Sequence, residues 1–114
     1  MKPRSKKFYD DFANVVKQHV KKCFPNIEIR AVGSRNRGDF QRTSDFDYQF
    51  CIEGGETTKE KFYPKLIKCL EKEIAEYKGE KVRVELGGSG NVVNVFPESG
   101  GKVSLALEPC SKFQ

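Results

Sequence analysis

Two aspartates separated by one residue, Asp45 and Asp47, stand at the start of a strand-like run that continues through Tyr48 and Phe50. Side chains two apart in a strand point to the same face, so the two carboxylates are predicted to project together. Neighbouring carboxylates resist joint ionisation unless a positive charge lies between them. A hard divalent cation prefers such oxygen ligands. The pair therefore predicts a metal site, against the alternative of ordinary polar residues on a solvent-facing strand.

Ten residues separate a glycine-serine turn, Gly33-Ser34, from this aspartate pair. Glycine lets the backbone approach a ligand closely, and backbone amides at a following helix start would face an anion. Three arginines follow the turn, and the planar guanidinium suits phosphate because it donates two parallel hydrogen bonds. They are Arg35, Arg37 and Arg42, for which ion pairs with surface acids are the alternative. Phosphate and metal ligands at adjacent strand ends together predict phosphoryl or nucleotidyl transfer.

The segment over residues 33–47 resembles the signature of the DNA polymerase β-like nucleotidyltransferase superfamily. It follows the pattern apolar-Gly-Ser, ten residues, then Asp-apolar-Asp-aromatic without a gap. It is most similar to the minimal nucleotidyltransferases, and also to the oligoadenylate-synthetase and cyclic-dinucleotide synthase branches. The resemblance implies Mg²⁺-dependent transfer of a nucleoside monophosphate from a nucleoside triphosphate to a hydroxyl acceptor, which is a nucleotide, a nucleic acid or a protein. Gly33, Ser34 and Arg35 would hold the triphosphate. Asp45 and Asp47 would bind the Mg²⁺.

The resemblance also implies a third catalytic carboxylate on a neighbouring later strand, three residues before a proline. In the run that ends at Pro97, this position is occupied by Asn94, a neutral amide. Glu85, on the preceding strand, is the alternative third acid, and the register of the last hairpins decides whether it faces the site. Two hypotheses follow: a nucleotidyltransferase, or a catalytically silent nucleotide- or RNA-binding module on the same fold.

Composition limits the class of protein. The chain has 114 residues, 37% hydrophobic and 32% charged, which is typical of a soluble globular protein. We predict a single minimal nucleotidyltransferase domain over residues 1–114. No apolar run approaches the roughly 18–20 residues that span a bilayer, and no apolar signal block follows the basic N-terminus. An intracellular protein without a membrane partner is therefore expected.

The cysteines give no metal-binding pattern. Four of them, Cys23, Cys51, Cys69 and Cys110, are spread along the chain without a Cys-x-x-Cys pair. Without a secretion signal, a disulfide framework is not expected either. We predict reduced thiols that serve as small core residues of an intracellular protein.

The net charge of +5 is concentrated at the N-terminus. Residues 1–24 carry seven Lys or Arg against two Asp, and the remaining residues carry fourteen of each sign. Lys17, Lys21 and Lys22 fall off the apolar stripe of the first predicted helix. They are candidates for contact with a nucleic acid, although a solvated helix face is the alternative.

Two helices are predicted. Ser5 caps the first, whose apolar residues recur at helical spacing until Pro25 ends it, with His19 at the boundary of the stripe. The second has a capping box at Thr57, contains Pro64 either as its first residue or as a kink, and closes at Lys78-Gly79.

Strands make up the rest of the chain. Alternating apolar residues predict one strand over residues 27–31 and three more over residues 82–86, 92–96 and 103–107, joined by glycine-rich turns as hairpins. The predicted fold class is therefore α+β, with a mixed, largely antiparallel sheet flanked by two long helices. Larger members of the superfamily carry a helical domain that reads the base, so a helical partner protein or a missing C-terminal domain is expected here.

Overall fold

The computed structural model describes residues 4–32, 46–53 and 58–113. The first helix, α1, spans Lys6–Cys23, and the Ser5 hydroxyl accepts a hydrogen bond from the Phe8 amide at 3.2 Å, as a helix cap does. The chain leaves the helix at Phe24, directly before Pro25. The predicted cap and end of α1 are therefore confirmed. His19 is half-buried at the edge of its apolar stripe, with Nδ1 3.8 Å from Glu73.

The second helix, α2, spans Lys59–Glu73 and corrects the prediction at both ends. Its cap is Thr58, whose hydroxyl accepts from the Lys61 amide, whereas Thr57 lies outside the described residues. Pro64 lies inside the helix rather than at its start. The predicted end at Lys78-Gly79 is wrong because these two residues form a hairpin turn. Both have positive φ, 47° and 84°, which suits a two-residue turn between antiparallel strands.

Six strands form one sheet in the order β1-β2-β6-β5-β4-β3. All neighbours are antiparallel except β2 and β6, which run parallel. The strands are β1 Ile27–Val32, β2 Phe46–Ile52, β3 Glu76–Tyr77, β4 Glu80–Gly87, β5 Val92–Pro97 and β6 Val103–Leu107, with short 3-10 turns at Gly88–Gly90 and Cys110–Phe113. The α+β class and the mixed, mostly antiparallel sheet with two helices are confirmed.

Both helices pack on one face of the sheet, which we call the covered face. Alternate residues of β5 and β6 are buried there, while the residues between them are half-buried. The hydrophobic core lies between this face and the helices. Its strand residues include Tyr48, Phe50, Val93, Val95, Val103 and Leu105, and its helix residues include Phe12, Val16, Val20, Phe62, Leu66 and Leu70.

The prediction of reduced cysteines is wrong, because all four are paired. Cys23–Cys69 joins the end of α1 to α2, and Cys51–Cys110 joins β2 to the turn after β6. Their Cα atoms are 6.3 and 5.1 Å apart, within disulfide range. The partners are 46 and 59 residues apart in sequence, so the pairing depends on tertiary structure and leaves no local pattern. In the described part of the chain, no helix is both long and apolar enough to cross a bilayer.

A buried acid fixes the turn between β5 and β6. Glu80 is fully buried, and its Oε1 accepts from the Ser99 amide at 2.8 Å. Arg4 Nε lies 2.9 Å from Glu80 Oε2, which gives the buried charge an ionic partner. The Tyr9 hydroxyl donates to the Ser99 carbonyl at 3.2 Å. The turn that leads into β6 is therefore held from the side of α1.

Candidate functional site

Asp47 is the second residue of β2 and is half-buried on the face opposite the helices, which we call the open face. The amide of its neighbour Phe46 donates to the Lys102 carbonyl at 3.0 Å, so the start of β2 is tied to the chain just before β6. The other residues predicted from the motif, Gly33, Ser34, Arg35 and Asp45, lie outside the described residues. Within the described ranges, the site is therefore Asp47 and its neighbours across the sheet.

Four polar residues form a row across the open face. Asp47 pairs with Ser104 on β6, Ser104 with Asn94 on β5, and Asn94 with Glu85 on β4. Directly paired residues point to the same face of a sheet. Because adjacent strands lie about 4.8 Å apart, Asn94 stands about 10 Å from Asp47 along the row, and Glu85 about 14 Å.

Asn94 is held in place by both neighbouring strands. Ser104 Oγ donates to Asn94 Oδ1 at 2.8 Å. On the other side, the Asn94 amide nitrogen lies directly over Gly87, where a Cβ would collide with it. A side chain at residue 87 would therefore displace the Asn94 amide. The amide is oriented by these contacts, with its oxygen toward β6.

Glu85 lies on the open face, as a third carboxylate must, but it is too far from Asp47 to bind the same metal ion. Its Oε2 forms an ion pair with Arg83 at 3.0 Å, on an exposed part of β4. Ligand oxygens lie about 2.0–2.1 Å from a Mg²⁺ ion, so residues separated by about 14 Å along a rigid sheet do not share one. The geometry disfavours Glu85 as the third carboxylate.

Two strands flank Asp47: β1, which places Val32 opposite it, and β6, whose position could not be predicted from the sequence. All five β6 residues, Val103–Leu107, are uncharged. Ser104 lies opposite Asp47, and Ala106 lies opposite Gln49. Ala106 also stands three residues before a proline, Pro109, so the pattern that selected Asn94 fits it equally well. The sequence did not identify Ser104 or Ala106 as site candidates, because the parallel pairing of β2 with β6 is a non-local contact. The role of Asn94 stays a prediction.

The donors in this row suit a hard cation. Asp47, Ser104 and Asn94 offer carboxylate, hydroxyl and amide oxygens, which are the ligands that Mg²⁺ prefers over the nitrogen and sulfur that zinc prefers. Over residues 4–32, 46–53 and 58–113, no three His, Cys, Asp or Glu side chains come together as a metal site. The described donors therefore fit Mg²⁺ in chemical type, and a full set needs the motif residue Asp45.

The basic helix α1 lies on the covered face, opposite this row. Lys17 and Lys21 form no ion pair with any residue that the structure describes, while Lys22 Nζ lies 3.2 Å from Glu73. The hydrogen bond from Lys7 to Asp11 raises the pKa of the lysine and lowers that of the carboxyl. The helix charges therefore stand across the sheet from Asp47.

Comparisons with known proteins agree with the fold. A family model described as "Nucleotidyltransferase domain" matches residues 11–87. No curated protein sequence matches the chain significantly.

Three solved structures are similar. The polymerase core of TRAMP, an RNA surveillance complex, has a TM-score of 0.60 and 21% identity, with 87% of this chain and 30% of that chain covered. The Cid1 poly(U) polymerase bound to MgGTP has a TM-score of 0.61 and 12% identity, with 90% of this chain and 32% of that chain covered. Terminal uridylyl transferase 4 from Trypanosoma brucei with bound dUTP has a TM-score of 0.64 and 16% identity, with 90% of this chain and 35% of that chain covered. At these identities the likeness concerns the fold. The chain spans about a third of the length of these structures.

Proposed function

Because the chain belongs to the nucleotidyltransferase domain family, we propose that it binds a nucleoside triphosphate with Mg²⁺ and transfers a nucleoside monophosphate to a hydroxyl acceptor, with pyrophosphate as the leaving group. The observation that carries this proposal is the position of Asp47. It is the last residue of the motif of residues 33–47 and lies on the open face, in a row of side chains that carry oxygen ligands. In this proposal Gly33, Ser34 and Arg35 hold the triphosphate.

Each residue near Asp47 then has a defined task. Asp45 and Asp47 hold the Mg²⁺, which when bound polarises the phosphoryl oxygens and neutralises their charge. The Ser104 hydroxyl donates its proton to Asn94, so its lone pairs are left to accept a hydrogen bond from the acceptor hydroxyl. A serine hydroxyl is too weak a base to remove that proton. The proton therefore goes to an aspartate of the motif or to water.

A second candidate, a module that binds the nucleotide without transferring it, is favoured by one observation. Strand β6, which places Ser104 opposite Asp47, carries no acid at any of its five positions. Two carboxylates suffice for one divalent ion together with a triphosphate. A second ion near the acceptor hydroxyl needs further negative charge, because Mg²⁺ keeps its waters unless carboxylates or phosphates replace them.

Binding is tested by titrating a nonhydrolysable nucleoside triphosphate with and without Mg²⁺. Asp45→Asn and Asp47→Asn should each remove the Mg²⁺-dependent part of the affinity, because each deletes one negative charge from the proposed site. Gln49→Ala, two residues along β2 on the same face, is the matched control and should bind as the unmodified chain does. Unchanged Mg²⁺-dependent affinity in both aspartate variants would rule out the assignment.

Turnover separates the two candidates. Ser104→Asp restores an acid opposite Asp47 and should raise nucleotidyl transfer by about 10²–10³-fold, the factor typical of one charge-stabilising group. Ala106→Asp tests the other β6 position, and Asn94→Asp tests the position one strand farther away. A larger gain from Asn94→Asp than from either β6 variant would show that Asn94 is the third position. If all variants bind nucleotide and none transfers it, the binding-module function holds instead.

Two further expectations are proposals of the same kind. A helical partner protein or an additional helical domain would supply the surface that recognises the base. An intracellular location stays a prediction, and the two disulfides argue against a reducing compartment, where cystines rarely persist. Counting free thiols in the natively expressed protein tests this point.

A further inference from the structure

An aromatic side chain lies on the open face next to the polar row. Phe96 is half-buried on β5, two residues beyond Asn94 on the same face. Its cross-strand partner on β4 is Arg83, whose guanidinium carbon lies 4.9 Å from the centre of the Phe96 ring. From the strand and residue spacings, Phe96 stands about 12 Å from Asp47.

A depression of about 330 Å³ adjoins this pair. It is lined by Phe96, Gly100, Gly101 and Lys102. The Lys102 carbonyl accepts from the Phe46 amide, so one lining residue is bonded to the neighbour of Asp47. A Cβ built on Gly100 would meet nothing within 4 Å, which shows that the depression is open beside this residue.

A second arginine-phenylalanine stack on the same face serves as a comparison. Arg30 lies 4.5 Å from the ring centre of Phe113. Its guanidinium donates to Gln49 through two nitrogens and to the Lys112 carbonyl through the third. This stack therefore fastens the C-terminal turn to β1 and β2.

The Arg83 guanidinium makes fewer hydrogen bonds than that of Arg30. Among the described residues, its guanidinium donates only to Glu85, through one nitrogen. A guanidinium carries five N–H donors, and its second face is available for stacking. Two acids of β4 and of the turn after β5 have hydrogen-bond partners among the described residues: Glu85 accepts from Arg83, and Glu98 accepts from the Lys81 amide. Lys102 lines the depression beside Phe96, so a phosphate bound there would lie close to its positive charge.

We propose that Phe96 and Arg83, with Lys102, bind a base and an adjacent phosphate of a single-stranded nucleic-acid acceptor. Bases stack on aromatic rings and guanidinium planes with little regard to sequence, and lysine attracts the backbone phosphate. A strand whose terminal hydroxyl reaches Asp47 can place another of its bases about 12 Å away, over Phe96. This inference rests on the proposed function and deepens it, because it selects nucleic acid among the possible acceptors.

The test is a binding measurement without metal. A labelled single-stranded RNA of about six nucleotides is titrated into the protein in EDTA at several salt concentrations. Phe96→Leu, which keeps apolar bulk and so protects the fold, should weaken binding about 10-fold through lost stacking. Arg83→Gln should weaken it similarly and reduce the slope of log affinity against log salt by about 1.

Matched controls come from the other stack. Arg30→Gln and Phe113→Leu remove the same groups on the same face and should leave RNA affinity unchanged, with thermal melting confirming that every variant is folded. The inference is overturned if the unmodified chain does not bind the RNA, if Phe96→Leu and Arg83→Gln bind as it does, or if the Arg30 and Phe113 variants lose as much. Because no Mg²⁺ or triphosphate is present, this result is independent of the nucleotide titration that tests the proposed function.

Discussion

The two faces of the sheet use the same strands for different purposes. On the covered face, alternate side chains are apolar and fully buried against the helices, as Phe50, Val95 and Leu105 are. On the open face, their sequence neighbours Gln49, Asn94 and Ser104 are polar and half-buried. Because side chains alternate along a strand, the fold and the candidate site are encoded by interleaved residues. Substitutions on one face should therefore leave the other largely intact.

The largest expected effect comes from the covered face. Phe50→Ala should lower the free energy of unfolding by about 3–5 kcal/mol, because it leaves a cavity beside the Phe62 ring in a core that cannot fully collapse. The two ring centres are 5.5 Å apart, and Phe50 is completely buried. Gln49→Ala removes only exposed hydrogen bonds to Arg30 and should cost less than about 1 kcal/mol. Urea denaturation of both variants measures the difference, and equal losses would contradict the division into two faces.

The covered face could be predicted from the sequence more completely than the open face. The apolar spacing of α1 and the alternation at Val103, Leu105 and Leu107 are local patterns. The alternation gives the buried residues of β6, and the spacing gives most of those of α1 but misses Tyr9 and Ala13. The row on the open face depends on which strands are neighbours, which is a non-local property. Ser104 has no signal of its own in the sequence. It becomes a candidate only once β6 is seen to pair in parallel with β2.

Turn chemistry explains the other errors. The apolar period of α2 continues past its end, because Ile74 and Tyr77 both pack at the core. Lys78 and Gly79 nevertheless turn the chain into a hairpin, so β3 replaces the last predicted helical turn. The disulfides were missed because their partners meet only in the folded chain.

The two disulfides lie on different faces of the sheet, so their removal should affect the two faces differently. Cys23–Cys69 links the helices of the covered face, whereas Cys51–Cys110 fastens the C-terminal turn over the open face. Each closes a long loop, so replacing either pair by alanines should lower the free energy of unfolding by about 2–4 kcal/mol. Thermal melting of the two double variants measures this. Only loss of the Cys51–Cys110 bond should also loosen the Arg30–Phe113 stack, which hydrogen exchange at Lys112 and Phe113 would detect. Equal exchange in both variants would show that the turn is held without the disulfide.

The smallest effect concerns Tyr63, a polar contact within the covered face. Its hydroxyl donates to the Asn91 carbonyl at 2.7 Å and accepts from the Leu107 amide at 3.0 Å, so α2 is bonded to both β6 and the β4–β5 turn. Tyr63→Phe leaves the buried Leu107 amide without its acceptor and should cost about 1–2 kcal/mol near neutral pH. Tyr77→Phe is the control, since the Tyr77 hydroxyl makes no hydrogen bond within the described part of the chain.

The pH dependence gives Tyr63 a signature that a simple packing loss would lack. Burial raises the pKa of the Tyr63 phenol, the hydrogen bond from the Leu107 amide opposes this, and the charge of Glu108 adds to it. A pKa raised in the folded state means that folding favours the neutral phenol, so its contribution is complete below the unfolded value of about 10. It is lost as the pH rises from there through the folded pKa. The difference in unfolding free energy between the unmodified chain and Tyr63→Phe should therefore be constant from about pH 6 to 9 and shrink above about pH 10. Groups common to both proteins cancel in this difference. If this difference stays constant into the alkaline range, the Tyr63 hydroxyl is accessible to water in the folded chain. The covered face would then be open to solvent at this residue.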